Sequence, residues 1–178
     1  MTPLDWTLAA LLAFAPPERH DGTRWADDSR EAALVRYQGI ASAIVAVCPE
    51  DDRSCHALLA AIAIGESGLA RDADVGPCYR EGGYRTRCDS GLAASVWQAH
   101  AFGADEAGEA ITIARLFADR ELAAWQTLRV ARSSLARCGR GEDSLSGLSG
   151  TCKKGPGPWR ARWRLWSRMR HWMPKEAR

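Results

Sequence analysis

One segment constrains the fold of this chain more than any other. Cys55–Gly65, read CHALLAAIAIG, is apolar almost all the way round a helix. A helix without a polar face has to be covered on every side, so it belongs at the centre with other helices around it. The next residues turn that helix into a chemical problem. Glu66 follows at once, in the run Gly65-Glu66-Ser67-Gly68. A carboxylate at the end of a buried apolar segment must be solvated, paired or held there for a purpose.

The surrounding sequence supplies the covering helices. Strand formers are sparse while Ala, Leu and Arg abound, so the predicted class is mostly α. With 178 residues, the chain is long enough for one domain with a substantial core. Asp28-Ser29 caps a helix predicted over 30–47, with Ala33, Leu34, Tyr37, Ile40, Ala41, Ile44 and Val45 at helical spacing. Ser54 is read as the cap of the central helix. Helices are also predicted over 105–116, 120–138 and 159–173, with Leu122, Trp125, Leu128, Val130 and Leu135 facing inward in the second of these. Residues 69–90 read as an extended loop or a small hairpin, and GLAASVWQAHAF as a passage from loop into helix. Trp6–Ala15 is an apolar run too short to span a bilayer. It reads either as a signal-peptide core or as a first helix. The expected organisation is therefore an N-terminal apolar segment plus linker over 1–29, then a domain over 30–173.

Six cysteines are ordered as three local loops, 48–55, 78–88 and 138–152. An even count at such spacing predicts disulfides and an oxidising compartment, periplasmic or extracellular. Zinc is the weaker reading, because no CxxC pair exists. Charge is uneven. From Lys153 to Arg178 nine Lys or Arg face one acid, Glu176, a net +8 that leaves −6 on residues 1–152. Such a tail either meets an anionic partner or is attracted to the acidic body.

GESG after an apolar helix, followed downstream by Val96-Trp97-Gln98, resembles the lysozyme-like superfamily of peptidoglycan-cleaving enzymes, in its soluble lytic transglycosylase and goose-type lysozyme branch. In that branch a catalytic Glu ends a buried helix in an E-S motif, and a G-L-M-Q or G-L-W-Q motif lines the sugar groove. Here Glu66-Ser67 matches the first, and Ser95 stands where the second has Gly. The branch's Y-N-x-G motif is only echoed in SLSGLSG, Ser144–Gly150, which lacks the Tyr. Glu66 and Gln98 are 32 residues apart, longer than in compact members, and a Cys78–Cys88 loop would account for the excess. The resemblance implies a lysozyme-like domain with a Cys-closed loop or hairpin insertion. It implies cleavage of the β-1,4 bond between N-acetylmuramic acid and N-acetylglucosamine, in wall remodelling, phage lysis or a virion. Glu66 would be the general acid and base, and Ser67, Trp97 and Gln98 would line the groove. No metal or organic cofactor is implied.

The residues themselves point the same way. Glycosidic cleavage needs a carboxylic acid still protonated near neutral pH. An apolar helix before Glu66 and the negative end of that helix's dipole both favour the protonated form. Asp72, Asp74 and Asp89 are the nearest candidates for a second carboxylate, although Asp72 and Asp74 read more naturally as turn residues in RDADVG. Branch members that lack a second acid use the substrate's own N-acetyl group and release an anhydro-sugar. Each site residue also has a plainer reading: Glu66 as a turn acid, Ser67 as a cap, Gln98 as a satisfied core amide, Trp97 as core. His100 is a tempting base but lone histidines are mostly structural.

The last helix, WRARWRLWSRMRHWM, puts Trp159, Trp163, Trp166 and Met173 on one face and spreads arginines over much of the rest. Its Trp face is read as closing the core. Its charge would suit an anionic wall or membrane surface, and no nucleic-acid partner is expected. The competing readings for the whole chain are a degenerate glycan-binding or structural domain and a membrane-active protein.

Overall fold

Asp52 caps the central helix. Its side chain accepts from the Cys55 amide, and α3 runs Arg53–Ser67. The cap is therefore Asp52 rather than Ser54, and the helix continues past Gly65, so Glu66 sits within the last turn. Leu58 through Ala63 are all buried, as an all-round apolar segment requires. In this computed structural model, which describes residues 1–23, 25–76 and 88–174, α3 is packed by α1 (Pro3–Phe14), α2 (Arg30–Val47), α7 (Arg120–Arg137) and α8 (Pro158–Met169). The mostly α expectation holds.

The run Trp6–Ala15 forms most of α1 and packs on α2 and α3, with Trp6, Ala10 and Leu11 in the common core. This is the packing that the first-helix reading of the run describes. The Tyr37 hydroxyl donates to the Ala15 carbonyl (2.8 Å), and burial pushes that phenol up to about 12. Helix α2 has the expected bounds and the Ser29 cap. Of its apolar positions, Leu34 is 37% exposed and turns away from the core.

Three expectations change. The segment over 105–116 is mostly a loop. The Asp105 carboxylate accepts from the Ala107 and Glu109 amides and pairs with Arg115, which holds a turn that competes with a helix. Only Ile113–Ala118 (α6), capped by Thr112, is helical. The SVWQ segment is also not helical. β1 (Ala93–Ala94) pairs antiparallel with β2 (Ala99–His100), and Ser95–Gln98 is the four-residue connection. Finally, RDADV is a short helix, α4 (Arg71–Val75), with Asp74 buried. One further turn, α5 (Cys88–Gly91), leads into β1.

Disulfides Cys48–Cys55 and Cys138–Cys152 are formed, which fits an oxidising extracellular setting. The expected 78–88 loop lies outside the described residues. No helix of the described residues is long and apolar enough to cross a membrane.

The Trp face of α8 packs on the core as expected, but the helix ends at Met169, so Met173 lies beyond it and Met169 takes the buried place. Trp159 is buried, Trp163 and Trp166 lie against the core, and Trp166 Nε1 donates to the Ser54 carbonyl. The charge asymmetry is partly resolved inside the molecule. Arg160 binds Asp143 through two hydrogen bonds, Arg164 binds Glu142 the same way, and Arg162 pairs with Glu66. Arg168 and Arg170 lie over the rings of Phe14 and Trp166.

Candidate active site

The end of α3 is built to let a neighbour cross it. A Cβ on Gly65 would lie 2.5 Å from Arg162 Cγ. With hydrogen there, the Arg162 stem passes over α3, and Arg162 Nη2 reaches Glu66 Oε2 at 2.7 Å. Gly68 takes the left-handed conformation (φ 64°), and its amide returns to the Ile64 carbonyl to close the helix. These are the reasons for the two glycines around Glu66.

The chain leaving α3 is pinned by charge. His20 Nε2–H donates to the Gly68 carbonyl (2.8 Å) and Arg36 Nη2 to the Leu69 carbonyl (2.8 Å). Arg36 is held by Asp27 through two 2.8 Å bonds and lies 3.6 Å from Asp74. Asp74, its side chain fully buried, takes two hydrogen bonds from Arg120. The approach of Arg120 depends on Gly39, where a Cβ would come within 3.0 Å of Arg120 Nη1. Asp74 is thereby a structural anion, which removes it as a second catalytic acid.

Glu66, 20% exposed at its side chain, opens into a cleft of about 620 Å³, a size suited to a small-molecule or oligomer subsite. Trp97 and Gln98 line the same cleft, as do Asp89 and His100. Three of the four residues expected from sequence, Glu66, Trp97 and Gln98, therefore share one surface. Ser67 stands apart from that lining. Its hydroxyl donates to the Ala63 carbonyl and accepts from the Leu69 amide, ending the helix. Trp97 is mainly core: it is 2% exposed, and its Nε1 donates to the Leu59 carbonyl of α3 (3.0 Å), which fixes the hairpin against the Glu66 helix. Gln98 Nε2 donates to the Ser95 carbonyl, which also accepts from the Gln98 amide. Asp72 is not among the lining residues, whereas Asp89 is, with its carboxylate 3.5 Å from His100 Nε2.

Two opposing effects set the Glu66 carboxyl. Burial pushes its pKa up, and Arg162 pulls it down by charge and by hydrogen bond; the net direction is upward. The group is thus disposed to carry a proton above the usual carboxylate range while staying oriented by a guanidinium.

The faint SLSGLSG echo turns out to be a wall of this cleft. Gly147, Leu148, Ser149 and Gly150 line it. The buried Ser134 hydroxyl of α7 donates to the Ser144 carbonyl (2.7 Å) and accepts from the Gly147 amide (2.9 Å). A Cβ on Gly147 would meet Ser134 Oγ at 2.7 Å, Ser134 Cβ at 2.9 Å and Cys138 Sγ at 3.0 Å. Gly147→Ala is therefore expected to cost about 1–3 kcal/mol by overpacking and to displace this wall. A urea midpoint equal to that of the parent would contradict the close packing.

Arg162, Gln126 and Phe102 also border Glu66 or its cleft but were not singled out from sequence. A signal for Arg162 was available in Gly65, because a glycine kept within a helix, where it costs stability, usually has a packing reason. Among the described residues no cluster of His, Cys, Asp and Glu could hold a metal ion.

Comparison with protein-family models, with curated proteins and with solved structures finds no match to this chain. Functional assignment consequently rests on the cleft itself and on the two short motifs that face it.

Proposed function

We propose that this protein is a lysozyme-like peptidoglycan-cleaving enzyme of the lytic transglycosylase type, acting outside the cytoplasm on the bond between N-acetylmuramic acid and N-acetylglucosamine. The observation that carries the reading is the convergence of Glu66, Trp97 and Gln98 on one cleft with the Glu66 carboxyl shifted upward. A second observation supports it. Ser95, standing where the resembled branch has Gly, adopts φ 63°, a backbone conformation that glycine takes without strain.

In the proposed reaction the Glu66 carboxylic acid gives its proton to the glycosidic oxygen as the C1–O bond breaks. The N-acetyl oxygen of the muramic unit stabilises C1. The C6 hydroxyl of the same sugar then bonds to C1 and releases its proton to the Glu66 carboxylate. An anhydro-sugar and a free 4-hydroxyl result, no water is consumed, and the acid is regenerated. Arg162 holds the carboxyl in place through both proton transfers.

Asp89 favours a second reading, hydrolysis. It is the one of the three candidate aspartates that lines the cleft, where it would direct a water at C1. Digestion of purified peptidoglycan by the wild-type chain, with products read by mass spectrometry, separates the two. Anhydro-muropeptides support transglycosylation, and reducing-end products support hydrolysis through Asp89. Release of neither, from protein with its disulfides intact, overturns both.

A further inference from the structure

Phe102 is half exposed, at 49%, and lines the cleft that holds Glu66. A lone exposed apolar side chain is ordinary on a protein surface. This one is unusual in how firmly it is fixed. Its carbonyl accepts from Gln126 Nε2 (3.3 Å) and from Arg129 Nη2 (3.2 Å), both on α7. The Arg129 guanidinium lies 5.2 Å from the centroid of the Phe102 ring and 4.9 Å from that of Trp125, so one cation is shared between two rings. Gly103 follows at φ 72°, and a Cβ there would come within 3.3 Å of Arg129 Nη2. Backbone and ring are thus set in place by α7, while about half of the residue stays open to solvent.

We infer that Phe102 is a sugar-stacking platform: its open surface receives the apolar face of a pyranose ring of the glycan, in a subsite next to the bond that Glu66 cleaves. The chemistry fits the ligand. A hexopyranose presents axial C–H groups on one face and hydroxyls at its rim, so it is bound by an immobile aromatic surface combined with polar groups. A platform that is already rigid loses little side-chain freedom on binding. The residue is half exposed and lines the cleft, which leaves ring surface for the ligand. This inference rests on the glycan-cleaving reading above.

Its test uses the Glu66→Gln chain, which would hold glycan without turning it over. Binding of peptide-free peptidoglycan glycan strands is measured by calorimetry for Glu66→Gln, for Glu66→Gln with Phe102→Ala, and for Glu66→Gln with Phe102→Tyr. The Ala variant is expected to bind about three- to tenfold more weakly, the range that one aromatic contact supplies, and the Tyr variant within about twofold of its parent. Equal thermal midpoints for all three chains exclude unfolding as the cause. Unchanged affinity in the Ala variant overturns the platform, as does absence of binding by Glu66→Gln itself. Cleavage by the wild-type chain is read separately. Cleavage with no effect of Phe102→Ala on binding sinks the platform alone, whereas weakened binding without cleavage keeps the platform and sinks the catalytic reading.

Discussion

Asp74→Ala is expected to lower the stability of the fold by about 3 kcal/mol, toward the low end of what removing one partner of a buried ion pair costs. The Asp74 side chain is fully buried and answers two arginines. Removing it strips Arg120 of both its hydrogen bonds to a carboxylate and takes away the carboxylate 3.6 Å from Arg36 Nη1. Two features hold the loss near that end of the range. Arg36 keeps its two bonds to Asp27, and Arg120 is one-third exposed and can turn to water. The control is Asp28→Ala. Asp28 meets Arg71 at 3.2 Å, but its side chain is 80% exposed, and such a surface pair contributes about 1 kcal/mol at most. Urea denaturation of the three chains measures both. Equal losses would show that the buried cluster is not what anchors the chain leaving α3.

The second large effect concerns pH. A general acid works only while protonated, so cleavage is expected to fall as pH rises through the folded-state pKa of Glu66, which lies above the ordinary 4.5. Arg162→Met removes the two influences that hold this pKa down and leaves burial unopposed. The alkaline limb of the pH–rate profile is then expected to move to higher pH. Stability follows the same linkage. A carboxyl with a raised folded pKa binds more protons in the native state, so its favourable contribution is complete below the unfolded pKa. It is lost as pH rises from 4.5 through the folded value. In Arg162→Met that window extends further upward, and the variant is least stable, relative to the parent, at neutral pH. A limb that stays in place, or moves to lower pH, would show that Arg162 does not govern the proton on Glu66.

Much of this could be read from the chain alone because it depends on local signals. Helix α2 carries a cap and a helical period, so its bounds followed from neighbouring residues. Helix α3 announced its burial by having no polar face. The failures have physical causes that the local pattern does not carry. Asp105 turns its segment away from helix by accepting amides two and four residues on. Ser95 and Gln98 both take positive φ, 63° and 50°, a conformation rarely occupied by residues other than glycine, so SVWQ gave no sign of a hairpin connection. In the site, Glu66 stood out by its place at the end of an apolar run, and Gln98 by its motif. Arg162 did not, because its meeting with Glu66 depends on how α8 crosses α3. Ser67 shares the E-S motif with Glu66, but its hydroxyl serves the helix end. Phe102 is defined by contacts with α7 that no spacing in the sequence encodes.

The central claim is that Glu66 performs the chemistry rather than merely tying α3 to α8 through Arg162. Gln at this position keeps an oxygen that can accept from Arg162 but has no proton to exchange, so it separates the two roles. The decisive measurement is the initial rate of soluble fragment release from purified peptidoglycan by wild-type and Glu66→Gln protein with equal thermal midpoints. The account predicts a rate about 10²- to 10⁴-fold lower in Glu66→Gln, the range that general acid–base catalysis supplies. Release by Glu66→Gln at the wild-type rate would assign Glu66 to structure alone and contradict the proposal.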